Sequence, residues 1–446
     1  MLLWNSNQNE ISRGNIKLVE FSAHNKKLVF GILFCAGLLR LGYIFVTQAY
    51  INPVTVEGGV IARGIIQGYG FSVAATGTSI YFPSACQPPV FPYLLAWIYY
   101  FIGENILGYL FLFILQTCLS VGISWMIYQM GKLLLNETTG IIAMLLSAIF
   151  PVFIIYSGKA LNTTVSIFTV TLFTYLFFNA THSRFVLNLT REKLKTGILL
   201  GFSGGIAILC EPIMLVIIPV LGSIAMFSIY QRQTLEKSER IKQIRFILLV
   251  WILIGFIVFP WTLRNYLVFH RVIPVRGMAG LNMWQGNNPQ ATGTDILPTG
   301  KPMFDLLPPS YNDSTLPELV RDDILMKMAK DFIRENPGTA IRLFIKKCYF
   351  FWWFPPKEIV SPDASKYARF MSPFYLILLA TAVLGSVLLL KKKNYYLLAV
   401  IGIYFISYMG VFAVFHFGHF RYRAPVEPFL FLLAGYSISL LKKSPR

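Results

Sequence analysis

Long apolar stretches separated by short polar ones dominate the chain. A membrane-crossing helix needs about 20 predominantly apolar residues. Ten stretches reach or approach that length: 28–50, 107–130, 139–156, 163–178, 196–209, 213–230, 246–263, 373–390, 395–415 and 425–441. The fourth and fifth are the shortest. The apolar run 90–102 is too short to span and predicts an interfacial or re-entrant helix. The first long run follows a polar leader, 1–27, and continues past the length of a signal-peptide core, so it predicts a retained span. The expected fold class is an all-α polytopic membrane protein with about ten spanning helices, within a range of about nine to thirteen.

Composition agrees with that pattern. The 446 residues are 55% hydrophobic and only 13% charged, against about 25% charged in a soluble domain. An ordinary soluble enzyme, a disordered chain and a disulfide-stapled secreted domain are excluded. The net charge of +19 would suggest a polyanion partner in a soluble protein, but here it follows topology. With the N-terminus inside, 20 of the 39 basic residues fall in inside loops and tails, as the positive-inside tendency requires. The short outside segments carry only Arg63, Lys159, Arg421 and Arg423. Both termini are expected inside, and no nucleic-acid partner is needed.

Two predicted outside segments are too long to be connectors. The first runs over 51–105 and the second over 264–372, between a membrane region 28–263 and C-terminal spans within 373–446. The second segment is rich in Pro, Asp and Asn over 287–317. It then predicts helix over 318–354, where Asp322, Asp323, Lys327 and Lys330 alternate with Ile324, Leu325 and Met328 at helical spacing. Elaboration on one face predicts that the chemistry lies there. No internal repeat of the kind found in many secondary transporters is present in the sequence.

The candidate chemistry lies in these segments. Glu57 stands in Thr55-Val56-Glu57-Gly58-Gly59-Val60-Ile61, on a stretch whose Ile61, Ile65 and Ile66 predict an interfacial amphipathic helix stopped by Gly68 and Gly70. A carboxylate there is either a general base for an acceptor or a solvated residue on the helix dipole. The stretch Tyr81-Phe82-Pro83-Ser84-Ala85-Cys86-Gln87-Pro88-Pro89 reads as an extended, proline-stiffened corner. Arg264 ends a span in Pro260-Trp261-Thr262-Leu263-Arg264-Asn265, either as a phosphate ligand or as a lipid-headgroup anchor. Arg421 and Arg423, with Glu427 beyond them, suit a phosphate. Asn287 and Asn288 either contact sugar hydroxyls or form a turn before Pro289. His416 and His419 are three apart and either meet a metal or bond to phosphate and water. Arg40, Lys159 and Glu211 are lone charges in or beside spans, a default signal of function. Of five cysteines, Cys86 and Cys348 lie in the outer segments, where pairing stays open, and no zinc-like spacing occurs.

In order, these segments resemble the membrane glycosyltransferases of the GT-C fold, specifically family 39, which includes protein O-mannosyltransferases and aminoarabinose transferases. The resemblance rests on Glu57 with Gly68-Tyr69-Gly70-Phe71-Ser72, on Pro88-Pro89-Val90-Phe91-Pro92, on Pro260 to Asn265 with Gly286-Asn287-Asn288-Pro289, and on Arg421-Tyr422-Arg423-Ala424-Pro425. It implies a GT-C type bundle in a bacterial inner membrane, and inverting transfer of a sugar from a polyprenyl-phosphate carrier at the outer face. It implies no cofactor and no metal. Glu57 would be catalytic and Arg264, Arg421 and Arg423 would hold the carrier phosphate. Tyr81, Gln87, Asn287, Asn288 and His419 are the further expected substrate contacts. Many members carry an Asp where this chain has Val54 or Thr55, and lipid-A-type members carry a Lys in place of Gln87. A flippase for lipid-linked glycans and a polysaccharide polymerase or ligase are the alternative readings.

Overall fold

The computed structural model describes residues 23–74, 80–182, 191–231, 236–313, 316–416 and 420–441. The leader 1–22 and His419 therefore lie outside the described residues. Helices α1 (Ala23–Val46), α4 (Ile106–Leu134), α7 (Thr163–His182), α10 (Lys237–Phe269), α15 (Pro362–Lys391), α16 (Tyr395–Phe415) and α17 (Glu427–Leu441) form the bundle. They are joined by α5 (Glu137–Ile149) and α6 (Pro151–Ser157), and by α8 (Arg191–Cys210) and α9 (Met214–Tyr230). Among the described residues, seven helices are long and apolar enough to cross a membrane. The bent pair α5–α6 makes an eighth. The expected stretches 196–209 and 213–230 appear as the shorter apolar helices α8 and α9.

Two spans run further than the hydrophobic pattern indicates. Helix α10 continues six residues beyond Leu263, and α15 starts eleven residues before Pro373. The prolines Pro260 and Pro373 sit inside these helices on their exposed sides, as spanning helices tolerate more readily than soluble ones. Asparagines start two other spans. Asn105 accepts from Leu107 and Gly108 N–H, and Asn136 accepts from Thr139 N–H, which satisfies donors that a helix start leaves open. Along α8, Gly201, Gly204 and Gly205 lie against Leu253, Ile254 and Ile257 of α10 so closely that a Cβ would come within 3 Å of them. Small residues there let two backbones approach. Helix α17 is the centre of the bundle, packed on α15, α5 and α4, with Phe429, Phe431 and Ala434 fully buried.

Arg40 is fully buried in α1, and the structure gives it a structural task in place of the expected functional one. Pro151 has no N–H for the Ser147 carbonyl four residues earlier, so the α5–α6 helix breaks with a 52° bend. The Arg40 guanidinium donates to the Ser147 and Ala148 carbonyls at 3.3 and 3.0 Å, to Ala36 O at 2.8 Å and to Ser120 Oγ at 2.7 Å. It thereby satisfies the carbonyls freed by the break.

The two long connections meet at one end of the bundle. The first contains α2 (Val56–Ile66), a short antiparallel pair β1 (Ser72–Ala74) and β2 (Tyr81–Pro83), and α3 (Val90–Phe101). Helix α2 packs against α3 with Ile61 and Ala62 fully buried. Ile66 stays exposed, so the predicted face is shifted by the α3 contact. The second connection contains α11 (Ala279–Gly286), α12 (Pro309–Asn312), α13 (Glu318–Glu335) and α14 (Pro337–Trp352). The expected helix over 318–354 is split at Asn336, because a residue preceding proline disfavours helical backbone.

Candidate functional site

The motif Pro260 to Asn265 is the hub of this end, and its side chains clamp backbone on both sides. Toward the second connection, Trp261 Nε1 donates to Val275 O at 2.7 Å, Thr262 Oγ1 to Pro274 O at 2.9 Å and Asn265 Nδ2 to Ile273 O at 2.9 Å. Toward the first, Arg264 donates to Ser84 O at 2.8 Å and Phe71 O at 2.7 Å, and also to Asn265 Oδ1 at 3.0 Å. Its guanidinium lies over the Phe71 and Trp261 rings, which meet edge to face at 4.7 Å. Arg264 was expected on a carrier phosphate. Its donors are instead committed to backbone carbonyls of the first connection, which need a partner once burial removes water.

A carboxylate pins the same corner from the other side. Glu318, at the start of α13, accepts from Ser84 Oγ at 2.6 Å and Ala85 N at 2.9 Å. Ala85 O in turn accepts from Gly277 N at 2.8 Å. Asp322, one turn on, accepts from Gly280 and Leu281 N–H at the start of α11, a position where the helix dipole favours negative charge. Burial pushes both carboxyls above their ordinary range, and these donors only partly offset it.

This corner presents Glu57 and Gln87 side by side. Glu57 occupies the exposed first turn of α2, and Gln87 Nε2 approaches its Oε2 at 3.5 Å. Tyr81 lies on the hairpin, stacked on Tyr69 with ring centroids 4.5 Å apart. Cys86 and Cys348 are both free.

Arg421 and Arg423 part company. They lie on a 3₁₀ turn, Phe420–Val426, where residues two apart point about 120° away from each other. Arg423 is 1% exposed; it donates to Phe351 O, pairs with Glu427 at 3.5 Å and stacks on Tyr375 at 3.6 Å. It is a buried brace, a correction to its expected phosphate role. Arg421 is half-exposed over the Tyr422 ring, and its charge lowers the carboxyls of Asp295 and Glu211 against the opposing effect of burial.

Asn287 and Asn288 are also structural. Asn287 donates to Met283 and Val414 carbonyls and accepts from the buried Lys347, while Asn288 donates to Trp284 O and accepts from Gln290 N. The turn reading of this pair holds. His416 meets the Tyr422 hydroxyl at 3.3 Å. Among the described residues, no three His, Cys, Asp or Glu side chains converge to hold a metal.

One residue of this end carries no signal in the sequence pattern. Arg276 is exposed on the segment that Trp261, Thr262 and Asn265 clamp. Its charge reaches Glu211, Cys86, Asp322 and Tyr422. It was one of fourteen basic residues in 264–372, and no local pattern distinguished it. Glu211, a lone charge beside a span and so a functional candidate from the sequence, is a second residue on which these charges act. It sits between α8 and α9, half-buried, and burial raises it to about 7 despite Arg276, the Ser166 hydroxyl and Arg421. Tyr422 lies within reach of Arg421, Arg276, Asp295 and Glu57 together. The candidate site therefore gathers the charges of Arg276 and Arg421, which both act on Glu211 and Tyr422, with Asp295 and Glu57 acting on Tyr422 as well.

The fold and this arrangement define a polytopic membrane protein of the GT-C fold. Residues 86–262 match the family described as dolichyl-phosphate-mannose-protein mannosyltransferase. The chain is similar to the Archaeoglobus fulgidus oligosaccharyltransferase in its apo form, with TM-score 0.58 and 13% identity over 95% of this chain and 51% of that one. It is also similar to the archaeal oligosaccharyltransferase AglB from Archaeoglobus fulgidus in complex with an inhibitory peptide and a dolichol-phosphate, with TM-score 0.53 and 12% identity over 95% and 51%. ArnT from Cupriavidus metallidurans bound to undecaprenyl phosphate aligns with TM-score 0.41 and 12% identity, over 94% and 78%. The chain spans about half the length of the oligosaccharyltransferases it matches. No curated protein sequence matches it.

Proposed function

We propose that this protein is an inverting glycosyltransferase that moves one sugar from a polyprenyl-phosphate carrier to an acceptor at the outer face of a bacterial inner membrane, with both termini inside. The observation that carries the reading is the placement of Glu57 with Arg276 and Arg421 at the end of the bundle where both long connections meet. The mannosyltransferase family match over 86–262, and a similarly folded protein that holds a dolichol-phosphate, support it.

The chemistry follows from the groups present. A sugar phosphodiester already contains its leaving group, so no nucleotide is needed. The Glu57 carboxylate takes the proton of an acceptor hydroxyl as its oxygen bonds to the anomeric carbon. The bond from that carbon to the phosphate oxygen breaks on the opposite face, and the electron pair leaves with the polyprenyl phosphate. Arg276 and Arg421 stabilise the charge on the departing phosphate. Gln87 orients Glu57. No residue is assigned to a metal or other cofactor.

The test is transfer of labelled sugar in vesicles containing the full chain and polyprenyl-phosphate sugars. Glu57→Gln should lower the rate by about 100-fold or more with unchanged protein level. A variant that transfers at the wild-type rate overturns the base assignment.

A further inference from the structure

The half of the bundle remote from the candidate site holds a cleft that the chemistry above does not use. It lies between α7, α8, α9 and α10 and contains about 420 Å³ of space free of protein atoms. Its walls are apolar, with Phe177 from α7, Leu200 from α8, Ala225 from α9, and Phe246, Trp251 and Ile254 from α10. The Thr181 hydroxyl in the wall donates to Phe177 O and accepts from the Tyr396 hydroxyl, both at 2.9 Å, so it is already satisfied. A space lined in this way stays dry and accepts apolar guests.

Depth and charge together identify the guest. The apolar stretch of α10 runs over 246–263, so its centre falls next to Ile254. The cleft follows α10 from Phe246 to Ile254, a rise of about 12 Å, and therefore occupies a single leaflet, on the side where α10 begins. Arg264 and the candidate site lie toward the other end of the same helix. Arg240, Gln243, Ile247, Val250 and Ile254 follow one another at intervals of three and four residues, which is one face of α10. Arg240 thus stands beneath the cleft on the face that lines it, about 21 Å from Ile254 along the axis. Headgroup and midplane are separated by the same distance in a bilayer about 40–45 Å thick overall. The Arg240 Nε atom is buried and has no hydrogen-bond partner among the described residues, whereas the nearby Lys242 is paired with Glu239 at 2.7 Å. Lys195 and Arg245 are exposed at this level, on two helices so close that a Cβ on Gly197 would come within 2.7 Å of Phe246.

We propose that this cleft binds one acyl chain of a net-anionic phospholipid from the leaflet where α10 begins, with the Arg240 guanidinium on the lipid phosphate. Arginine suits a phosphate because its planar fork matches two oxygens, and Lys195 and Arg245 favour a headgroup that keeps its negative charge. The chain fills space that four helices leave open, so the bound lipid stabilises the folded bundle. It enters from the leaflet opposite the candidate site, so this lipid is neither sugar donor nor acceptor, and its binding is independent of the reaction proposed above.

The experiment titrates the delipidated full chain in detergent with phosphatidylglycerol brominated near the middle of its acyl chains, which quenches tryptophan on contact. The signal of Trp251 is the difference between wild type and Trp251→Phe. It should be quenched saturably, and phosphatidylcholine carrying the same bromines should bind about fivefold more weakly. Arg240→Gln should weaken phosphatidylglycerol by about fivefold. Ala225→Leu fills the cleft from α9 and Ala180→Leu from α7; each should abolish the Trp251 quenching while unfolding no earlier than wild type without lipid. The two come from opposite walls, so a folding defect in one leaves the other to decide. Quenching of Trp251 that survives in the folded filling variants, or is absent from wild type, overturns the site. Equal affinity for the two lipids, or no effect of Arg240→Gln, overturns the anionic headgroup. Displacement of the brominated lipid by undecaprenyl phosphate at lower concentration than by unlabelled phosphatidylglycerol assigns the cleft to a polyprenyl chain and overturns the phospholipid.

Discussion

The Arg264 guanidinium donates to the Ser84 carbonyl at 2.8 Å, while the hydroxyl of the same serine donates to Glu318 at 2.6 Å. One residue of the first connection is thus held from the end of α10 and from the second connection at once. The position of Glu57 and Gln87 depends on that corner, so a residue that touches no substrate controls the geometry of the site.

Arg264→Ala should leave the Ser84 and Phe71 carbonyls without their donor. Each buried group left unsatisfied costs about 1–3 kcal/mol, so the thermal midpoint should fall and transfer should fall with it. Arg264→Lys places one charge where a planar fork made three bonds, and should rescue only part of both. Limited proteolysis between residues 72 and 90 reads the loosening directly. An unchanged cleavage rate would remove the clamp from Arg264.

The three arginines near Tyr422 should separate in binding experiments. Arg276→Ala and Arg421→Ala should each weaken polyprenyl-phosphate binding by about 10- to 100-fold, the scale of a lost charge-assisted contact, without lowering the thermal midpoint. Arg423→Ala should do the reverse, because it leaves Glu427 buried without its partner. Equal effects of all three on binding would contradict the division of roles.

Arg40→Met keeps the bulk of the side chain and removes its donors. The carbonyls of Ser147 and Ala148 at the Pro151 break then lose their partner, with a loss of about 1–3 kcal/mol for each. The unfolding temperature in detergent should drop, and Arg40→Lys should recover part of it. A Met variant as stable as wild type would show that the break satisfies itself.

Lys347 gives stability a signed pH dependence. Burial lowers it to about 8 from an ordinary value of 10.5, with Gly286 O and Asn287 Oδ1 as acceptors. Below pH 8 both folded and unfolded chains hold the proton. Between pH 8 and 10.5 the folded chain releases it first, so stability rises with pH, by roughly 3 kcal/mol at most from this group. Lys347→Met should flatten that rise in a series of unfolding curves, and an identical slope in the variant would count against the buried charge as its origin.

How much of this was legible in the sequence differs residue by residue. The spans could be read because an apolar run of membrane length has few other uses, and Glu57 could be singled out because it is the acid of the first loop next to a helix start. The role of Arg264 could not. An arginine at a span end has the same local sequence whether its donors face lipid phosphate or loop carbonyls, and only the placement of the Phe71 and Ser84 carbonyls beside it decides. Arg423 was misjudged for a related reason: two arginines one residue apart suggest a common ligand, and the 3₁₀ backbone that sends them to different surroundings leaves no mark in composition. Arg276 was missed because nothing near it in the chain is unusual; its importance comes from Trp261, Thr262 and Asn265, which lie ten to fifteen residues earlier and grip its neighbours.

By itself the sequence determined that the chain is a helical membrane protein with two elaborate connections, because hydrophobic length and turn chemistry are local properties that each segment carries with it. Tertiary structure alone decided which charges meet. Arg276, Arg421, Glu57 and Glu211 come from four separate parts of the chain, and Arg264, Arg423 and Asn287 were withdrawn from the expected site by backbone partners far away in sequence. A buried polar side chain must find a partner wherever the fold places one, so its role is a property of the packed molecule rather than of its neighbours along the chain.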